Sequence, residues 1–206
     1  MGPFLDESHP SIQKGTIPIQ SGPPTIESLF KQEISSRLRS LNPEIQIILI
    51  PHIRDISSPH AVWPQEPLSR QTLDLPKNVR CLTNPCVFSL GETTIGVSTN
   101  DILRGISLEE CTKSPPSLPL PRVGLYVETD DRNPVNQGLY DRLPNYIMQQ
   151  RHFYPLSPAR SEARVAIQES GLAEFVGGTP DILILPSELQ YFAKVAPLPH
   201  CTLERD

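Results

Sequence analysis

Residues Thr179 to Leu189 read "TPDILILPSEL". Pro180 and Asp181 open a short apolar run, Ile182-Leu183-Ile184-Leu185, and Pro186 stops it before Ser187 and Glu188. Four apolar residues between two prolines predict a short buried strand that delivers polar groups to the edge of a sheet. In α/β proteins that is where ligands are held. The question is whether the polar groups at this edge, and at others like it, make a site.

Working outward, Thr25 to Leu41, "TIESLFKQEISSRLRSL", is the clearest helix. Ile26, Leu29, Phe30, Ile34, Leu38 and Leu41 share one face at spacings of three and four. Thr25 can cap it, and Glu27 sits in the first turn, where the helix dipole favours an anion. "EIQIILIP", Glu44 to Pro51, predicts a buried strand. "VRCL" leads to "CVFSL" and "TTIGVST", a hairpin around Gly91-Glu92 with glycine first, as a type II′ turn requires. "NDILRGISLEE" predicts a short helix capped by Thr99 or Asn100. A second helix runs from Leu139 to Arg151 with Pro144 inside it, and "HFYPLSP" is a turn-rich link to the last strand. The order helix, strand, antiparallel hairpin, helix, helix, strand predicts an α/β sandwich with a mixed sheet flanked by helices, not a doubly wound parallel sheet. No internal repeat is visible.

Composition bounds the function classes. The 206 residues carry a formal net charge of -5, with 18 basic residues scattered along the chain, so there is no footprint for gripping duplex DNA directly. No apolar stretch approaches the roughly 20 residues that span a bilayer, and "MGPFLDESHP" lacks the basic and apolar regions of a signal peptide. The expectation is a soluble intracellular protein. Asp6 stands where a myristoylation signal at Gly2 wants Ser or Thr. Cys81, Cys86, Cys111 and Cys201 form no Cys-x-x-Cys pair and predict free thiols. The 24 prolines flank apolar runs more than they interrupt them, which predicts short strands joined by stiff loops. Residues 112–138 form a Pro-rich loop whose Pro116-Ser-Leu-Pro119 fits a PxxP ligand by chance as readily as by design. Ser58, Ser114 and Ser157 each precede proline and fit a kinase target equally weakly.

Three strand exits carry polar groups: Gly2-Pro-Phe-Leu-Asp6, Pro51-His-Ile-Arg-Asp55 and Pro186-Ser-Glu188. A two-metal phosphoesterase gathers Asp, Asn and His from such exits around cations roughly 3.5–4 Å apart. Asp6, His52, Asp55 and His152 have suitable side chains. The alternative is that Arg54 and Asp55 make local turn and ion-pair contacts and that both histidines are partly buried hydrogen-bonded residues. Gly177-Gly178-Thr179 reads as a turn, and no G-x-G-x-x-G, Walker A, G-x-S-x-G or H-E-x-x-H pattern is present. Trp63 either anchors a partner or packs into its own domain.

Five stretches in order carry a resemblance. They are "GPFLD" at Gly2, "LIPHIRDISSPHAVWPQEP" from Leu49, "LTNPCVFSLGETTIGVSTNDIL" from Leu82, "IMQQRHFYPLSP" from Ile147 and "TPDILILPSELQYFAKV" from Thr179. Together the chain resembles the regulatory small subunits, the B subunits, of the DNA polymerase alpha–primase complex. "STNDIL" and "RHFYPLSP" favour polymerase alpha over the small subunit of another replicative polymerase. The resemblance implies a calcineurin-like metallophosphoesterase sandwich, incomplete at both ends. Residues 1–195 would be the C-terminal part of a degenerate phosphoesterase-like domain. Residues 196–206 would be an unrelated tail from truncation or mis-splicing, and the chain would be unable to close its sheet alone.

The resemblance also implies that metal-ligand positions are substituted. Pro3 stands for the bridging Asp, Ile53-Arg54 for the Asn-His pair, and Ser187 and Leu189 for the last two histidines. No catalytic residue, metal or cofactor is then expected, against the alternative of a divergent metal-dependent phosphoesterase. The implied role is a nuclear, non-catalytic scaffold for initiating DNA replication. Its partners would be the C-terminal region of the polymerase catalytic subunit and, through the complex, the primase subunits, with DNA touched at most indirectly and no membrane.

Overall fold

The computed structural model describes residues 1–16, 25–110 and 138–195. Cys111, Ser114, Cys201, the PxxP stretch, the 196–206 tail and nearly all of the Pro-rich loop lie outside the described residues. The described part is mixed α/β, with small sheets and short helices.

The helix expected over 25–41 begins as read, with the Thr25 hydroxyl accepting from the Ser28 amide at 3.2 Å. It is not one regular helix. An α-helical turn, α2 (Ile26–Phe30), passes through a π-helical turn at Lys31–Ser35 into α3 (Ser36–Arg39), preceded in the chain by a single turn, α1 (Pro10–Gln13). A π turn holds one residue more than an α turn and shifts the buried face along by that residue. Ser35 is thereby fully buried and donates to the Leu73 carbonyl at 2.7 Å, while Ile26 and Leu41, expected on the buried face, are exposed.

The strand expected over 44–51 shortens to β1 (Ile47–Leu49), because Asn42 turns the chain: its side chain and carbonyl accept from Glu44 and Ile45. β1 pairs in parallel with β2 (Val79–Cys81), Ile47 against Val79. The hairpin of β3 (Cys86–Leu90) and β4 (Thr93–Val97) forms as expected, with Leu90 opposite Thr93 and Gly91 at φ +64°. That positive φ, followed by a residue that is not positive, is the geometry for which glycine stands first in a two-residue hairpin. β5 (Ile182–Ile184) joins β4 in parallel, so this second sheet is mixed, as the order of elements predicts.

The reading of β5 as a buried strand is corrected. Ile182 and Ile184 are 47% and 41% exposed, since β5 is the last strand of its sheet, while Leu183 and Leu185 face the core. α4 (Ile102–Glu109) is capped by Asp101, whose carboxylate accepts the Arg104 amide at 3.1 Å, and not by Thr99 or Asn100. α5 (Leu139–Gln150) runs with Pro144 inside it and ends at Arg151, which is forced to φ +50°. The link after it holds two 3-10 turns, Ser161–Ala163 and Ile167–Ala173, that no hydrophobic period announces.

Three apolar clusters hold these pieces. Leu29, Phe30, Leu49, Leu73 and Val79 pack the α2 helix onto the parallel pair. Ile50, Cys86 and Val97, flanked by Ile48 and Ile95, join the two sheets. Trp63, Ile102, Ile147, Phe153 and Phe175 join α4, α5 and the link. Trp63 is completely buried, its ring 5.7 Å from that of Tyr154. The alternative of Trp63 as an exposed partner anchor is therefore overturned.

Candidate functional site

The turn after β1 is organised by one carboxylate. Asp55 is 3% exposed, and its Oδ1 accepts from the amides of Phe4 and Leu5 at 2.5 and 2.8 Å. Its Oδ2 accepts the His52 amide at 3.1 Å. Burial still lifts its pKa above the ordinary carboxylate value, with the three amides pulling the other way. The N-terminal stretch is thus stitched beside the β1 exit, with Gly2 donating to the Ile50 carbonyl at 3.0 Å and a single bridge between Asp6 and Asp55. A Cβ on Gly2 would collide with Asp55 Oδ2, so this approach needs glycine.

A second buried group links that turn to the sheet. Asn84, fully buried, donates to Gln65 Oε1 at 2.9 Å and to Thr99 Oγ1 at 2.6 Å, and its Oδ1 accepts the Thr99 amide at 2.9 Å. Thr99 Oγ1 donates on to the Pro51 carbonyl at 3.1 Å, and Gln65 Nε2 donates to the His52 carbonyl at 3.2 Å. Each of these groups would cost about 1–3 kcal/mol if buried without a partner. The network therefore fixes the β1 exit against the β4 exit. Sequence reasoning passed over Gln65 and Asn84 and offered Thr99 only as a helix cap, since single polar side chains in loops carry no spacing signal.

The exits of β1, β4 and β5 converge on a cleft of about 330 Å³ lined by His52, Arg54, Asn100, Arg104, Ser187 and Glu188 among others. The apolar lining includes Ile53, Leu108 and Pro186. Arg104 forms an ion pair with Glu188, whose amide donates to Asp101 Oδ2 at 2.8 Å. Arg160 pairs with Glu109 at 3.1 Å and Glu162 at 3.6 Å. Arg54 pairs only loosely, at 3.6 Å, with Asp6. Burial tends to raise the Asp6 pKa, but hydrogen bonds from Ser8 and the charges of Arg54 and His52 hold it below the ordinary value. Burial and then the Arg54 charge push His52 down, against Asp6 and Glu7.

Of the four suggested metal-binding side chains, Asp6, His52 and Asp55 are neighbours and His152 is not. His152 places Nε2 at 3.0 Å from the Ser170 carbonyl and accepts the Tyr154 amide at Nδ1, as a hydrogen-bonded histidine and not a metal ligand would. Among the described residues no three His, Cys, Asp or Glu side chains form a group that could hold a metal. The donor chemistry fits a binuclear centre poorly. Both Asp55 oxygens are spent on backbone amides, His52 Nδ1 accepts the Arg54 amide at 3.0 Å, and a guanidinium stands beside them. Local turn and ion-pair contacts for Arg54 and Asp55 are the reading the geometry supports.

This arrangement runs through the segments that carry the resemblance, and the family profile for the DNA polymerase alpha/epsilon B subunit matches residues 1–194. The chain belongs to that family. Over 94% of its length it is 40% identical to the DNA polymerase alpha B subunit of Schizosaccharomyces pombe, of which it covers 31%. It is 33% identical to the protein of that name from Saccharomyces cerevisiae, covering 30% of it, and 28% identical to that of Bos taurus, covering 28%. In each case 94% of this chain is aligned. The chain thus spans under a third of the length of the curated relatives it matches. Within this alpha/epsilon family, these three relatives all carry polymerase alpha's name, in keeping with the "STNDIL" and "RHFYPLSP" reading.

Proposed function

We infer that this chain forms part of a non-catalytic regulatory and scaffold subunit of DNA polymerase alpha–primase. The reading takes it as a degenerate calcineurin-like phosphoesterase region over residues 1–195. It works in the nucleus, binding the C-terminal region of the polymerase catalytic subunit and reaching primase through the complex. DNA is met only indirectly, in keeping with a net charge of -5.

The observation that carries the reading is the composition of the cleft where the strand exits meet. Ile53 and Arg54 line it at the middle exit and Ser187 at the last, while Pro3 and Leu189, outside its lining, offer no metal ligand either. Arg54 brings a fixed positive charge to a place where a phosphoesterase needs two cations. Asp55, the one carboxylate in that turn, is consumed in holding the backbone. On this reading the side chains of the strand exits serve shape and not chemistry.

Two measurements on the 206-residue chain test this. Co-expressed with the C-terminal region of the polymerase alpha catalytic subunit, it should elute with it at equal stoichiometry. Incubated with manganese or zinc and desalted, it should retain no stoichiometric metal and should not hydrolyse bis-p-nitrophenyl phosphate. Separate elution would overturn the scaffold role, and two bound metals with turnover would restore the phosphoesterase.

A further inference from the structure

The two faces of the β3, β4 and β5 sheet differ in what covers them. Side chains alternate between the faces along each strand. Val87 and Leu183 lie on one face, packed against the cluster around Phe153, and a Cβ on Gly96 would meet Pro180 and Phe153 there. The other face carries Cys86, Phe88 and Leu90 on β3, opposite Val97, Ile95 and Thr93 on β4. β5 continues it, with Ile182 beside Ile95 and Ile184 beside Val97. Ile48, Ile50 and Leu82 cover the part around Cys86 and Val97. Toward the hairpin and the outer strand the face is open: Leu90 is 68% exposed, and Ile182 and Ile184 are exposed too.

Thr93 apart, every position on this face is apolar, and its open part continues the buried cluster of Ile50, Cys86 and Val97. A surface made to meet a separable partner is only about 56–58% apolar, like the rest of a protein's exterior. This face has instead the composition of a core cut open. We propose that in the full-length B subunit it is closed by polypeptide of the same subunit outside these 206 residues, laid as a second layer across β3, β4 and β5. The relatives have the length for such a cover. The chain spans 31%, 30% and 28% of the three named above, so most of each lies outside the matched region. Tethering decides between that cover and a separate protein. A segment of the same chain acts at an effective concentration of about millimolar, which a separate partner making the same contacts has to exceed to displace it. The inference rests on the reading of this chain as part of a B subunit. That reading fails by separate elution or by metal-dependent turnover, this one by the accessibility of one sheet face, so the two failures are distinguishable.

The test grafts residues 1–194 into the Schizosaccharomyces pombe B subunit in place of its matched region, and follows the reaction of single introduced thiols with a maleimide. In the 206-residue chain alone, Leu90→Cys, Ile182→Cys and Ser89→Cys should all react fast above the wild-type background. In the graft, Leu90→Cys and Ile182→Cys should slow by at least about tenfold, as residues reached only through local opening. Ser89→Cys, exposed on the opposite face of β3, should stay fast in both. A second arm needs no graft. The 206-residue chain alone should self-associate in sedimentation, and Leu90→Asp combined with Ile182→Asp should make it monomeric. A monomeric wild type that binds no anilinonaphthalene sulfonate would overturn the proposal. So would equal rates for Leu90→Cys and Ile182→Cys in the graft and in the chain alone, or rates that slow only when the C-terminal region of the catalytic subunit is added.

Discussion

Replacing Asn84 with alanine removes three hydrogen bonds at once from a place that water does not reach. The Thr99 amide and Gln65 Oε1 would be left without those partners, whereas Thr99 Oγ1 keeps the Pro51 carbonyl. At about 1–3 kcal/mol for each orphaned buried group, two orphans give a loss of about 3–5 kcal/mol once a small cavity is added. That is a large share of the roughly 5–15 kcal/mol by which domains are stable. Urea titration followed by the single tryptophan reads it directly, because Trp63 is buried in the cluster beside the network. With a slope of about 2 kcal/mol/M the midpoint should fall by about 2 M. Asn84→Asp separates the terms: it can still accept the Thr99 amide but can no longer donate to Gln65 and Thr99. It should therefore fall in the same direction, with a buried charge added to the cost. A midpoint shift under about 0.5 M for Asn84→Ala, with the slope unchanged, would refute the claim that this network holds the strand exits together.

Three further outcomes follow from particular contacts. Gly2→Ala would drive a Cβ into Asp55 Oδ2, an oxygen already held by the His52 amide, and should cost about 1–3 kcal/mol in the same titration. Glu110 sits below its ordinary value of 4.5 chiefly because Arg142 hydrogen-bonds it at 2.7 and 3.1 Å. A carboxyl group whose pKa is depressed in the fold stabilises it above the unfolded value and loses that contribution as pH falls through the folded value. The stability difference between wild type and Glu110→Gln should thus shrink below pH 4.5 and stay constant above it, as pH-resolved urea titrations would reveal. The Cys86 thiol, pushed up to about 11 by burial, should be alkylated by iodoacetamide at pH 8 far more slowly in the folded chain than in urea, where about a quarter of it ionises.

Regular elements were legible where a single local rule governs them. The hairpin followed from Gly91-Glu92 between two β-rich runs, and α5 was legible despite Pro144, because both depend on contacts a few residues apart. Misreadings arose where a distant residue competes. The helix over 25–41 carries a π turn that buries Ser35 against an acceptor on Leu73, 38 positions away. Trp63, left open by the sequence between partner anchor and core, packs inside against Tyr154. The apolar run of β5 looks buried in sequence, yet strand order leaves one of its faces open.

The amino-acid sequence by itself determined the class, a mixed α/β chain of short strands with prolines between them, and the family, through five ordered segments that span most of its length. It also determined which side chains stand at the strand exits, since proline marks where each run stops. What only the tertiary structure decided is the work those side chains do. Asp55 is consumed by amides some fifty residues earlier in the chain, His152 is turned away to a carbonyl, and Arg54 is paired with Asp6. The physical reason is that a carboxylate or an imidazole has the same composition whether it holds a backbone or a ligand. Only the distances set by long-range packing tell the two apart.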